Sequence, residues 1–132
     1  MTLFTKSILA PKSETDGTRI SVMSRHTLND GITPNPEITE DSYDEWLPEL
    51  APTPKLIGDY YKRGLSWEEF SESFEKLIQE EKRAILIQQI AKRALFETIT
   101  LMCVEEDPEH CHRKILAEEC KKSELELEVV IR

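Results

Sequence analysis

Cys111, His112 and Arg113 follow one another directly after the acidic run Glu105-Glu106-Asp107, and these residue types together can do thiol chemistry on an anionic ligand. Pro108 suits the start of a helix, which the pattern places over about 109–122. The first turn of a helix offers free backbone N–H groups and the positive end of its dipole, so it favours anions and stabilises a thiolate. Cys111 is accordingly read as a nucleophile or redox thiol titrating below the ordinary value of about 8.5, with His112 as its proton carrier. Arg113 would grip a carboxylate or phosphate, and Glu105 would orient that arginine or act as a base. Two facts oppose this. Successive helix residues point about 100° apart, so the three cannot all face one pocket. The neighbouring acids would also raise a thiol pKa on close approach.

A second wall comes from earlier in the chain. Arg25, His26 and Asn29 lie in an irregular segment that leaves a strand, where Gly31, Pro34 and Pro36 prevent long regular structure. Arg25 and Asn29, with Arg19 on the strand, are candidate ligand contacts, and His26 is a second candidate proton carrier. The bland alternative is a solvated connection. A metal reading also arises, because Cys103, His110, Cys111, His112 and Cys120 fall within eighteen residues. Their spacing matches no paired CxxC pattern, so Cys103 and Cys120 are read as small core residues and no metal ligand is assigned. Tyr60-Tyr61-Lys62-Arg63 resembles a base-stacking cluster, but a helix end attracts positive charge without any ligand.

The elements that must position these residues are legible in outline. Residues 3–9 and 19–23 read as strands separated by a polar loop with the turn signal Asp16-Gly17. Residues 44–50 carry Trp46, Leu47 and Leu50 at helical spacing, limited by Pro48 to a turn or two. Pro54 opens a helix that Gly64 ends, and Ser66 with Glu69 has the spacing of a capping box for the next. Residues 81–95 form the strongest helical pattern, apolar over more than half the circumference. Ile99 to Val104 is a continuous apolar run, expected to be a strand covered on both faces, and residues 125–131 alternate as a closing strand. Strands at both ends with helices between predict an α/β fold, one compact domain over 1–132 with a mostly parallel sheet of about four strands. If the second strand and the apolar strand are parallel neighbours, the two polar loops share a rim at their carboxyl ends.

Composition bounds the function. A chain of 132 residues with 39% hydrophobic and 33% charged residues is that of a globular protein able to bury a core. Its apolar runs are too short to span a bilayer, and its first residues lack the pattern of a signal peptide, so a cytoplasmic, membrane-free protein is expected. A net charge of −9 opposes binding to duplex phosphates. Three cysteines without an export signal are read as thiols rather than a disulfide framework.

With these residues assembled, the chain resembles the microbial family catalogued as domain of unknown function 488. The resemblance rests on DGTRI at Asp16, SRHTLNDGITP at Ser24, DEWLPELAPTPKLIGDYYKRG at Asp44 and LMCVEEDPEHCHRKILAEEC at Leu101, and on CxE followed by EHCHR above all. It implies a compact α/β protein in which Arg19, Arg25, His26, Glu105, Cys111, His112 and Arg113 hold the family's characteristic polar positions. It implies no activity, and the cofactor stays unknown. Where many relatives carry LVDRLWPRG, this chain has SVMSRHTLNDG. Two readings stand: a small enzyme on an anionic, nucleotide-like ligand, and a noncatalytic ligand- or partner-binding module in which Cys111 is structural.

Overall fold

The computed structural model describes residues 2–28 and 30–132. Five strands form one sheet: β1 (Thr2–Ser7), β2 (Thr18–Ser21), β3 (Glu45–Trp46), β4 (Ile99–Cys103) and β5 (Glu128–Val130). Their order is β3-β2-β4-β1-β5 and every pairing is parallel. The expected α/β architecture is present, with one more strand than foreseen. The addition is β3, where helix was expected: Ile20 and Ser21 pair with Glu45 and Trp46, and Pro48 starts a 3-10 turn to Leu50 immediately afterwards.

Four helices, α1 (Pro54–Lys62), α2 (Trp67–Leu77), α3 (Glu81–Ala94) and α4 (His112–Ser123), contribute to the main core. The caps follow the sequence. Thr53 Oγ1 accepts from the Leu56 N–H with Pro54 at the first helical position, and Ser66 Oγ accepts from the Glu69 N–H. The Glu69 carboxylate accepts from the Ser66 hydroxyl instead of closing the box on its backbone.

β4 sits at the centre of the sheet and all five of its residues are buried. Its side chains alternate as a strand requires. Ile99, Leu101 and Cys103 enter the large cluster built with all four helices, while Met102 enters a small one with Ile8 and Ile38. The continuous apolar run is thus explained by cover on both faces, thick on one and thin on the other.

The β1–β2 connection is fixed by charge and by a glycine. Asp16, only 1% exposed, accepts from Lys6 Nζ at 2.9 Å and from the Ser13 N–H at 2.9 Å. Gly17 has φ of +64°, and a Cβ there would stand 2.1 Å from the Thr98 carbonyl oxygen, so only glycine permits the close approach to the chain entering β4. Among the described residues, no helix is long and apolar enough to cross a membrane.

Candidate functional site

β2 and β4 are adjacent and parallel, in register from Thr18 with Ile99 to Ser21 with Met102, so the segments that follow them emerge side by side. A cavity of about 530 Å³ opens at these carboxyl ends, where ligands bind in open parallel sheets. Met23 to Arg25 form one wall and Cys103 to Glu105 the floor. The third wall is aromatic and comes from the α1–α2 pair. Trp67 stacks on Phe70 at 5.0 Å between ring centres, and Tyr60 lies across both at 5.7 and 5.1 Å.

Cys103 and Cys111 are disulfide-bonded, each 2% exposed. This corrects the expectation of free thiols at Cys103 and Cys111, and of Cys103 as a bystander in the core. The cause is the loop after β4. Pro108 starts a 3-10 turn capped by Asp107, whose carboxylate accepts from the Glu109 N–H, and α4 itself begins only at His112. Cys111 is therefore the N-cap of α4, in an extended conformation, and meets Cys103 at the end of β4. Cys120 behaves as foreseen: it is buried against the Ile87 carbonyl, and burial pushes its thiol up to about 12.

His112 reaches the floor from the first helical position. Its Nε2 lies 2.7 Å from the Val22 carbonyl oxygen and must donate to it, which leaves Nδ1 as the acceptor facing Cys111 Sγ at 3.9 Å. Phe74 stands edge-on to the ring at 5.4 Å. Burial lowers the His112 pKa to about 4, with the Arg113 charge adding to that effect and the bond to Val22 opposing it. A pH dependence follows. The folded pKa lies below the ordinary 6.5, so between these values the unfolded chain takes up the proton first. Stability from this group is full above pH 6.5 and falls as pH drops toward 4. Allowing for the ring edge on the cavity, the loss is about 2 kcal/mol. Urea unfolding of the disulfide form at pH 7 and pH 4.5 should show that difference relative to His112→Gln. Equal losses in the two proteins would contradict it.

Arg113 is fully buried, and its guanidinium does not reach the cavity wall. It donates to the carbonyl oxygens of Glu105 at 2.6 Å, Glu106 at 3.3 Å and Arg132 at 3.1 Å, and to Cys103 Sγ at 3.2 Å. The expected anion clamp is instead a clasp on the loop before α4. Arg19, also expected to hold ligand, pairs with Asp44 and donates to the Asp41 carbonyl on the β3 side of the sheet. His26 is drawn away too: Nε2 lies 2.7 Å from Ser21 Oγ, and the ring stacks on Tyr43 and tilts against Trp46. Asn29 lies outside the described residues.

Of the residues singled out from sequence, the cavity therefore joins Cys111, His112, Glu105 and Arg25. Arg25 is exposed, its Nη1 donating to the Gly31 carbonyl at 3.2 Å. Glu105 accepts from the Tyr61 hydroxyl, and burial followed by that carboxylate raises the Tyr61 pKa. Cys103 and the aromatic wall were missed as site residues. The aromatic stripe of α2 and the Tyr60-Tyr61 pair were the signals for the wall, but each has the spacing of ordinary core.

A family model described as the Active DUF488-N3 subclade matches residues 3–124. No curated protein and no solved structure matches the chain. The match spans all five elements that build the cavity, from β2 and β4 to the start of α4, and it agrees with the motifs quoted above: the chain belongs to the DUF488 family.

Proposed function

We propose that the chain is an enzyme acting on a small molecule with a flat ring and an anionic group, such as a nucleotide, at the cavity above Cys103, Cys111 and His112. The observation that carries this reading is the convergence of an aromatic wall, two cationic side chains on the rim and a sulfur–imidazole floor around one cavity. Tyr60, Tyr61 and Trp67 offer faces on which a ring can stack. Arg25 and Lys62 supply positive charge on a rim that also carries Asp30 and Glu105. The working state has the disulfide reduced to two thiols by two equivalents of a cellular thiol, which are joined as a disulfide. Cys111 then gives its proton to His112 Nδ1 and attacks as thiolate. A bond forms from sulfur to an electrophilic atom of the ligand, and the leaving group departs with its electron pair and takes the proton from the imidazolium. The description of the matching subclade as active agrees with a retained chemistry.

The test uses the four ribonucleoside 5′-monophosphates as probes of the reduced protein. In a Trp46→Phe background, Trp67 fluorescence should be quenched by at least one of them, and Tyr61→Ala should weaken that binding on the order of tenfold through lost stacking. Iodoacetamide should modify Cys111 in the folded reduced protein, and a bound nucleotide should slow it. Absence of quenching by all four at millimolar concentration sinks the ligand class. Cys111→Ser with binding kept and no thiol reactivity lost would favour the noncatalytic module.

A further inference from the structure

We propose that, once reduced, Cys103 Sγ, Cys111 Sγ and His112 Nδ1 hold one divalent cation of the zinc class, with its fourth position open to the cavity. The inference shares only the cavity with the reading above: an ion on Cys111 Sγ and His112 Nδ1 occupies the two atoms that would exchange the proton, so the metal-bound and the nucleophilic forms are alternative states of the reduced centre. The three donor atoms all lie within 4.8 Å of one another. Cys111 Sγ and His112 Nδ1 are 3.9 Å apart, against about 3.5 Å for the edge of a tetrahedron with Zn–S near 2.3 Å and Zn–N near 2.0 Å. The Cα atoms of Cys103 and Cys111 stand 7.5 Å apart, beyond the 4.4–6.8 Å usual for a disulfide and wide enough for two sulfurs to share an ion.

The surroundings are those of a ligand set. A metal-bound imidazole nearly always donates its other nitrogen to a carbonyl or carboxylate, and His112 Nε2 does so to Val22. Arg113 Nη1 donates to Cys103 Sγ at 3.2 Å, a bond that a thiolate accepts more strongly than a neutral sulfur and whose charge offsets the sulfur's. Two thiolates and an imidazole suit zinc and disfavour calcium and magnesium. All three ligand residues line the cavity, so substrate or water has access to the fourth position, as in catalytic sites with three protein ligands. The sequence pattern hides this arrangement, because the donors are gathered by the end of β4 and the cap of α4 rather than by a CxxC turn.

The chemistry balances as two steps. Two reductant thiols become a disulfide while the Cys103–Cys111 bond is cleaved to two thiols. The cation then displaces both thiol protons to solvent and takes neutral His112 as third ligand.

The experiment is anaerobic titration of the full chain with Co²⁺, after reduction with a phosphine that is then removed. Expected are thiolate-to-cobalt charge transfer, visible bands of a tetrahedral ion, saturation at one cobalt per chain and displacement by Zn²⁺. Cys103→Ser and Cys111→Ser should each weaken binding by on the order of a hundredfold or more, since losing even an outer-shell partner costs 10–100-fold. His112→Gln should keep charge transfer while altering the visible bands, and Cys120→Ser should change nothing. Circular dichroism checks that each variant is folded; the histidine variant supplies the test should a cysteine variant unfold. No charge transfer in the reduced protein, or bands unchanged in Cys111→Ser or His112→Gln, overturns the proposal. A reduced protein that takes no cobalt yet binds nucleotide and alkylates at Cys111 defeats this inference alone. One that binds cobalt but no nucleotide defeats only the ligand reading.

Discussion

Arg113→Met should lower the unfolding free energy by about 3 kcal/mol, because buried carbonyls left without their donor carry a desolvation cost. The side chain is 0% exposed and donates to three backbone carbonyls and one sulfur. Methionine fills much of the volume but donates nothing, so the Glu105, Glu106 and Arg132 carbonyls would lose a charged partner in a water-poor site. The full worth of four charge-assisted bonds is not lost, because burying the guanidinium carries its own cost: burial depresses its pKa, with the Glu105 and Asp107 carboxylates opposing that effect. The Nε atom is buried with no hydrogen-bond partner, a second sign that the site is imperfectly compensated. Arg113→Lys should recover only part of the loss, since an ammonium lacks the planar fork through which Nη1 and Nη2 reach separate acceptors. Urea unfolding of the disulfide forms, with equal slopes, measures both. A change under 1 kcal/mol for the methionine variant would show that the clasp contributes little.

Phe74→Ala should cost about 4 kcal/mol, and Phe74→Leu about 1 kcal/mol, because the ring is fully buried and its removal leaves a void that helices on a sheet close only in part. The location gives a second readout. Phe74 stacks on Phe70 at 6.3 Å and stands edge-on to His112 at 5.4 Å, so it is both core and the wall behind the imidazole. Truncation admits water beside the ring, and the His112 pKa should rise from about 4 toward the ordinary 6.5. Nuclear magnetic resonance titration of the ring protons reads this directly. A stable alanine variant with an unmoved His112 would show that burial of the ring comes from elsewhere.

The sequence was most informative where the physics is local. The apolar run at Ile99–Cys103 could only be a covered strand, and Thr53-Pro54 and Ser66 marked helix starts through their caps. β3 was illegible because two residues carry no period and Pro48 follows after a single residue. The start of α4 was placed three residues early because Pro108 opens a 3-10 turn as readily as an α-helix. For the site, the parallel neighbourhood of β2 and β4 put Arg25 and Glu105 on one rim, as topology required. Arg19, His26 and Arg113 went elsewhere because each found a nearer partner: a carboxylate, a buried hydroxyl and a set of carbonyls. Such competition between a ligand and the protein's own groups has no signature in residue type or spacing. Cys103 was misjudged for a related reason. Burial argued for core, and burial is also what a sulfur at the bottom of a cavity has.

The strand order has a further consequence for how the chain reaches this state. Leu3 of β1 is registered with Ile99 on one side and Val129 on the other, so the first strand has no neighbour until most of the chain exists. β2 can find β3 once the connection over 22–44 has been made, but β4, the strand that joins the halves, arrives late for both. Closing loops of such length before any pairing energy is returned makes assembly slow. During synthesis β1 therefore waits with both edges unsatisfied, and the sulfur–imidazole floor is among the last features to exist.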